Sequence, residues 1–252
     1  MTTEERREDI IATIQSKGRV RVSELSARYG ISEVSIRRDL EQLELSGHLS
    51  RVHGGAVSRG KLYVNMDLED RHRTNSGYKK QLARAVAELI EDNDTIMMNS
   101  GTTLAYVLRA LQGKENLTIV TNSVQNAMEA ALISSFNVIL LGGVFDSKYQ
   151  FTYGEDALSG LDNYHATKCI LSVDGISEGA GLTLYYSHEA ALVRKMIERS
   201  DMLIVAADGT KLGRSAFAKV TDAESCDVLV TSGADAEELA TLERLGVRVI
   251  RA

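Results

Sequence analysis

The chain has 252 residues, 44% of them hydrophobic and 25% charged, with a net charge of -6, two cysteines, no tryptophan and no proline. At ~100–200 residues per domain this is enough for one large or two modest domains with real cores, which excludes disordered and collagen-like chains. No apolar run reaches the ~18 residues a bilayer span needs, and the charged first nine residues have no hydrophobic segment behind them, so a cytoplasmic protein without a membrane partner is expected.

Charge is distributed unevenly. Residues 1–57 carry nine Lys/Arg and nine Asp/Glu, residues 58–84 seven against three, and residues 85–252 thirteen against twenty-three. A polyanion surface is therefore expected only in the first third. There Lys17, Arg19, Arg21, Arg28, Arg37 and Arg38 face only Glu24 and Glu33 over residues 16–38.

Thr2 and Glu5 have the spacing of a capping box, and Ile10, Ile11 and Ile14 follow at helical intervals up to Gly18. Ser23 is a good N-cap for a second helix that carries Leu25 and Ala27 and closes at Gly30. Ser32 can cap a third, in which Ile36, Leu40 and Leu43 form one buried stripe and Ser35, Arg37, Arg38 and Gln42 lie off it. Two short helices around a tight glycine turn predict a helix-turn-helix, and residues 48–57 predict a small hairpin, or wing, through Gly54 and Gly55.

Residues 58–78 show no strong period and read as a linker, after which the pattern changes. Continuous apolar strands are predicted at 95–98, 117–121, 137–141, 168–173, 202–207, 227–231 and 247–250, with helices at 81–90, 104–111, 124–133, 189–199 and 236–245. This alternation predicts an open, largely parallel α/β sheet covered on both faces. Three domain-level segments result: a winged helix-turn-helix at 1–57, a linker at 58–78 and an α/β domain at 79–252.

Ligands of such sheets bind beyond the carboxyl ends of the strands. The first strand runs into Asn99-Ser100-Gly101-Thr102-Thr103, either a plain strand-to-helix turn or an anion cradle made by unpaired amides at a helix start and two hydroxyls. Four more strand ends carry turn residues: Thr121-Asn122-Ser123, Gly142-Gly143, Asp174-Gly175 and Asp208-Gly209-Thr210-Lys211. Asp174 and Asp208 can accept from sugar hydroxyls, and Lys211 can pair with a phosphate. The five histidines have no metal-ligand spacing, no serine has a nucleophile-elbow context, and no dinucleotide fingerprint is present, so neither a metal nor a cofactor is expected. Cys169 and Cys226 sit among apolar residues and are expected to be buried, reduced thiols.

These residues resemble the DeoR-type bacterial sugar-metabolism repressors. Residues 31–40, ISEVSIRRDL, with 51–56, RVHGGA, look like the family's recognition helix and wing. The strand-end residues, together with Glu189, are similar to its C-terminal domain, whose fold resembles sugar-phosphate isomerases. The resemblance implies that the helix-turn-helix at 20–39 enters the major groove of double-stranded operator DNA. Ser32, Glu33, Ser35, Arg37 and Arg38 would lie nearest bases or phosphates, and Arg51 and His53 on the wing would meet the backbone. It further implies a phosphorylated sugar as effector, held by Asn99 to Thr103, Thr121 to Ser123, Gly142, Gly143, Asp174, Gly175, Glu189, Asp208 and Lys211. A repressor of a carbohydrate-utilisation operon is the expected function, assembled as a homodimer or homotetramer through the α/β domain. Many relatives have Asp where this chain has Asn99, and Tyr185-Tyr186 adds aromatic bulk that either stacks on a sugar or fills the core. The alternative is a sugar-phosphate isomerase carrying a DNA-binding appendage, with Asp174 and Glu189 as its carboxylates. Because Asp174-Gly175 leads into Ile176-Ser177 and not into the acid-rich turn of the resembling isomerases, the chain is expected not to be an enzyme.

Overall fold

The computed structural model describes residues 2–45, 49–58 and 68–252. They fall into two compact units, Met1–Met66 and Asp67–Ala252.

In the first unit, helix α1 (Thr3–Lys17) opens with the reciprocal capping box and ends at Gly18 in the left-handed conformation. Strand β1 (Arg19–Arg21), α2 (Val22–Tyr29), α3 (Glu33–Leu45), β2 (Leu49–Val52) and β3 (Gly55–Ser58) follow. The three strands form one antiparallel sheet in the order β1-β3-β2, so the predicted wing is a β2–β3 hairpin clamped to β1. Ile10, Ile14, Leu25, Ile36, Leu40, Leu43 and Leu49 form the core, each contributing ~1.5–3 kcal/mol by leaving water. One boundary differs from expectation. Helix α2 starts at Val22, ahead of Ser23, because Val22 is buried and its N–H donates to Gly54 O at 2.9 Å.

Of the expected linker 58–78, residues 59–67 lie outside the described residues, and much of the remainder is helical. Helix α4 (Leu68–Arg73) and α5 (Ser76–Ala87) occupy it. With six residues, α4 is too short to show a period in sequence. It is held by tertiary bonds: Tyr106 Oη donates to His72 O at 3.1 Å, and Lys79 Nζ donates to Arg71 O.

The second unit is built on seven parallel strands: β4 (Thr95–Met98), β5 (Thr118–Thr121), β6 (Asn137–Leu140), β9 (Lys168–Leu171), β12 (Leu203–Ala206), β14 (Val228–Thr231) and β15 (Arg248–Arg251). Their order is β15-β14-β12-β9-β4-β5-β6. Side chains alternate strictly between two cores. Ile96, Met98, Ile170 and Ile204 pack under α5, α6 (Thr102–Ala110) and α7 (Val124–Ala131). Met97, Cys169, Leu171 and Val205 pack under α8 (Glu155–Leu161), α9 (Ser187–Glu198) and α10 (Ala236–Arg244) on the opposite face. Both cysteines are buried and free, and burial pushes the Cys226 thiol up to about 12. Two small antiparallel sheets that the sequence does not reveal complete the unit: β7 (Val144–Asp146) with β8 (Phe151–Tyr153), and β10 (Gly175–Ser177) with β11 (Gly181–Leu184) and β13 (Ala218–Thr221).

The strand order reverses between β4 and β9: β5 and β6 lie to one side, β12, β14 and β15 to the other. A crevice opens beyond the carboxyl ends of strands at such a switch point.

Candidate functional site

Helix α3 presents a polar, exposed N-terminal face. Ser32 caps it, accepting from Ser35 N at 3.3 Å, with the two hydroxyls 3.1 Å apart. Arg37 Nη2 pairs with Glu33 Oε2 at 2.6 Å, an exposed pair one turn apart. Arg38 is exposed and makes no ion pair among the described residues. Asp39 points the other way, into the unit, where Arg6 and Arg7 hold its carboxylate at 2.7 and 3.0 Å; it is not a partner of Arg37 or Arg38. On the wing, His53 is exposed at the turn. Arg51 is drawn onto Glu44, which accepts from both its backbone N–H at 2.7 Å and its Nε at 2.9 Å. The structure adds Val34, whose side chain is 65% exposed on the same face. An apolar residue in that position is what a thymine methyl contacts.

At the switch point the chain leaves β4 through Asn99. The expected edge of the cradle is fully buried and turned inward. Asn99 Nδ2 donates to Ser172 O at 3.1 Å and Oδ1 accepts from Ser172 N at 2.9 Å, closing β4 onto β9. The amide offers one donor and one acceptor to that backbone, where a carboxylate would set an anion against a carbonyl. Asn99 thus ties the end of β4 to the end of β9 beside the crevice.

Beyond it, Ser100 donates through N, at 3.0 Å, and through Oγ to Glu189 Oε1 at the start of α9. Burial pushes the Glu189 carboxyl up to about 7, helped by the Asp174 carboxylate and opposed by the Ser100 bonds. Asn122, also facing Glu189, donates through Nδ2 to Thr152 O at 3.1 Å, while its buried Oδ1 accepts nothing among the described residues. Gly101 precedes α6 at φ 154°, and a Cβ there would meet Ser172 Cβ at 2.7 Å, so only glycine lets the turn lie against the end of β9. The first amides of α6 then point at the crevice without helical acceptors.

The other predicted strand ends divide into two groups. Asp174 accepts from Tyr185 N at 2.9 Å, and its Oδ1 stands 3.9 Å from Lys211 Nζ. Asp208 caps a single 3-10 turn by accepting from Thr210 N at 2.9 Å, and its Oδ2 lies 3.4 Å from Asn75 Nδ2. Gly175 opens β10. These residues, with Ser100 to Thr103 and Glu189, gather around the switch point. Thr121 and Ser123 serve the turn into α7: Thr121 Oγ1 accepts from Ser123 N at 3.1 Å and Ser123 Oγ from Asn126 N at 3.2 Å. Gly142 and Gly143 follow the edge strand β6 into β7, and no side-chain hydrogen bond among the described residues ties them to the group.

Sequence reasoning missed two cations. Lys79 is buried on α5 and donates to Thr102 Oγ1 at 3.0 Å as well as to Arg71 O. Burial pulls its ammonium down to about 8; Asp208 resists this, while Lys211 and Arg71 reinforce it. Arg71 on α4 is also buried, its guanidinium 4.7 Å from the Tyr149 ring centre and 3.4 Å from Tyr186 Oη. Tyr149 and Tyr186 pack ring to ring at 4.3 Å. Tyr186 thus packs beside the cations and does not fill the central core. Arg71, Lys79 and Lys211, brought from three elements to the start of α6, make the crevice a site for an anion.

Among known proteins, residues 6–61 match the DeoR-like helix-turn-helix domain and residues 74–233 the DeoR C terminal sensor domain. The chain is 34% identical over 251 residues to a putative aga operon transcriptional repressor of Escherichia coli O157:H7, covering 98% of this chain and 93% of that protein. It is 35% identical over 250 residues to the uncharacterized HTH-type transcriptional regulator YulB of Bacillus subtilis, covering 99% and 96%. It is 32% identical over 231 residues to the glycerol-3-phosphate regulon repressor of Escherichia coli K12, covering 92% and 91%. Among solved structures, ribose 5 phosphate isomerase A from Neisseria gonorrhoeae aligns with a TM-score of 0.40 at 16% identity, over 53% of this chain and 52% of that one. Matched in both halves and similar over nearly its whole length to regulators of one kind, the chain belongs to the DeoR family.

Proposed function

We infer that this protein is a DNA-binding transcriptional regulator, a repressor of a carbohydrate operon, whose operator affinity is set by a phosphorylated sugar in the second unit. The observation that carries the reading is the convergence of Arg71, Lys79 and Lys211 on the amide-lined start of α6, in a chain whose first unit exposes Ser32, Val34, Ser35, Arg37 and Arg38 along one helix. Phosphate is the natural anion for that crevice: it accepts from helix amides and hydroxyls and pairs with ammonium and guanidinium groups. Asp174, Glu189 and Asp208 then face the sugar hydroxyls. The names of the relatives, repressors of the aga operon and of the glycerol-3-phosphate regulon, fit the same chemistry.

The units divide the task, the winged helix-turn-helix reading DNA and the α/β domain sensing the sugar. Operator binders pair half-sites by protein two-fold symmetry, so the working species is a homodimer or homotetramer. The isomerase alternative is set aside because Asp174-Gly175 leads into Ile176-Ser177 and the relatives matched over nearly the whole chain are named regulators.

Thermal-shift screening against pentose and hexose phosphates tests the reading, because a ligand of the folded state alone raises the melting temperature. At least one sugar phosphate should stabilise the protein by ~3 kcal/mol at 100 times its Kd, and Lys211→Ala and Thr102→Val should abolish the shift. A flat response to the whole panel would remove the basis for sugar-phosphate control.

A further inference from the structure

Sugar-phosphate recognition uses the Arg71 guanidinium but does not account for the helix that carries it. Helix α4 is six residues long and comes directly after residues 59–67, the stretch that leads from the first unit. Its attachments are concentrated at its last residues and run to the candidate site. The Arg71 carbonyl accepts from Lys79 Nζ and lies 3.4 Å from Thr102 Oγ1. Next along the chain, the His72 carbonyl accepts from Tyr106 Oη at 3.1 Å, and the His72 ring meets the Gln125 side chain on α7. The Arg71 guanidinium lies over Tyr149 and beside Tyr186. The Arg71 carbonyl thus meets Lys79 and Thr102, while its side chain lies against the Tyr149–Tyr186 pair, close enough for its charge to act on Lys79.

We propose that Arg71 is a ligand for the anionic group of the effector, and that α4 thereby reports occupancy of the sensor site to the stretch of chain leading back to the DNA-binding unit. The proposal rests on the sugar-phosphate reading above. Its physical content is electrostatic. Burial is the main cause that depresses the Lys79 ammonium; Asp208 opposes it, and repulsion from Lys211 and Arg71 adds to it. A phosphate placed among the three cations reverses the sign of that repulsion and draws Arg71, Lys79 and Lys211 together. Lys211 follows β12 in the sheet and Lys79 lies within a twelve-residue helix, whereas Arg71 belongs to a helix of only six residues, the shortest anchor of the three. The element that gains most order on binding is therefore α4. A ligand shifts an equilibrium only through contacts that differ between the two states, and the Arg71 contact supplies such a difference.

Hydrogen exchange read by mass spectrometry on the full-length chain tests this, with inorganic phosphate, glucose 6-phosphate and fructose 1-phosphate as probes, glucose as the uncharged control, and melting temperatures recorded in parallel. A probe that raises the melting temperature should slow exchange in the peptide covering residues 68–75 by about tenfold when present at about ten times its Kd. Glucose should do neither. Arg71→Gln should bind the same probe more weakly and lose the slowing, and Arg71→Lys, which keeps the charge but not the planar fork, should retain part of it. Tyr106→Phe removes a tie that uses none of the cations; it should speed exchange in the free protein and still show the slowing. If a probe stabilises the wild-type chain while exchange at 68–75 is unchanged or faster, the role of Arg71 is overturned and the sugar-phosphate reading stands. If no probe stabilises the chain, both fall together.

Discussion

Glu189 shows how one buried group can make the site sensitive to pH. Its carboxyl is 3% exposed, accepts two bonds from Ser100 on one oxygen, and titrates near 7 in the folded chain against an ordinary value of 4.5. The sign follows from proton uptake. Between these values the native state binds a proton that the unfolded chain does not, so stability is gained as pH falls through 7 and lost as pH rises through it. The contribution is up to ~3 kcal/mol for a shift of this size. Replacing Glu189 by Gln keeps the acceptor for Ser100 and removes the group that titrates. Glu189→Gln should therefore melt above the wild type at about pH 8 and converge with it at about pH 5, by roughly 2–4 °C per kcal/mol. Calorimetry across that range decides the point; a wild-type minus variant difference that does not vary with pH would show that Glu189 keeps one protonation state throughout.

At the scale of a single element, α3 distributes its charges unequally. Arg37 leans on Glu33, but an exposed pair one turn apart is worth only ~0.3–0.5 kcal/mol and yields readily to a phosphate. Arg51 is held by Glu44 through two bonds, so part of its charge is already neutralised. Arg38 has no such counter-charge among the described residues. On a random-sequence duplex, Arg38→Ala should reduce the slope of log K against log salt by about 1, and Arg51→Ala by less. Val34→Ala should leave the slope alone and alter only the preference among sequences. Fluorescence anisotropy over a salt series measures all three, and an unchanged slope for Arg38→Ala would take that residue off the DNA.

This helix was legible in the sequence because cap, stripe and turn glycines agree, each a local signal. The five inner parallel strands were legible for a different reason: buried on both faces, they read as apolar runs, while the edge strands β6 and β15 are partly exposed. The short antiparallel strands at 144–153, 175–184 and 218–221 have three or four residues each, too few for a period to emerge. Arg71 and Lys79 announced themselves only as part of the cationic excess over residues 58–84, which was assigned to a polyanion surface. Their convergence on Thr102 depends on α4 and α5 packing against α6, a long-range fact that no local pattern carries. The bonds of Asn99 to Ser172, 73 residues away, are equally beyond a local pattern.

For the molecule as a whole, the consequence of joining a DNA-reading unit to a sensor unit is reciprocity. If a sugar phosphate favours a conformer with lower operator affinity, operator DNA must weaken sugar-phosphate binding by the same factor, because both are one coupling free energy. For a typical coupling of ~1–3 kcal/mol the factor is 5- to 150-fold. The full-length chain can select its own duplex from a random library, and calorimetric titration with the best sugar phosphate, with and without that duplex, then gives the factor directly. Arg71→Gln should bring the two titrations together while leaving DNA affinity in the absence of sugar phosphate close to that of the wild type, since Arg71 lies outside the DNA-reading unit. Equal sugar-phosphate affinities with and without DNA in the wild-type chain would mean that the two units act independently.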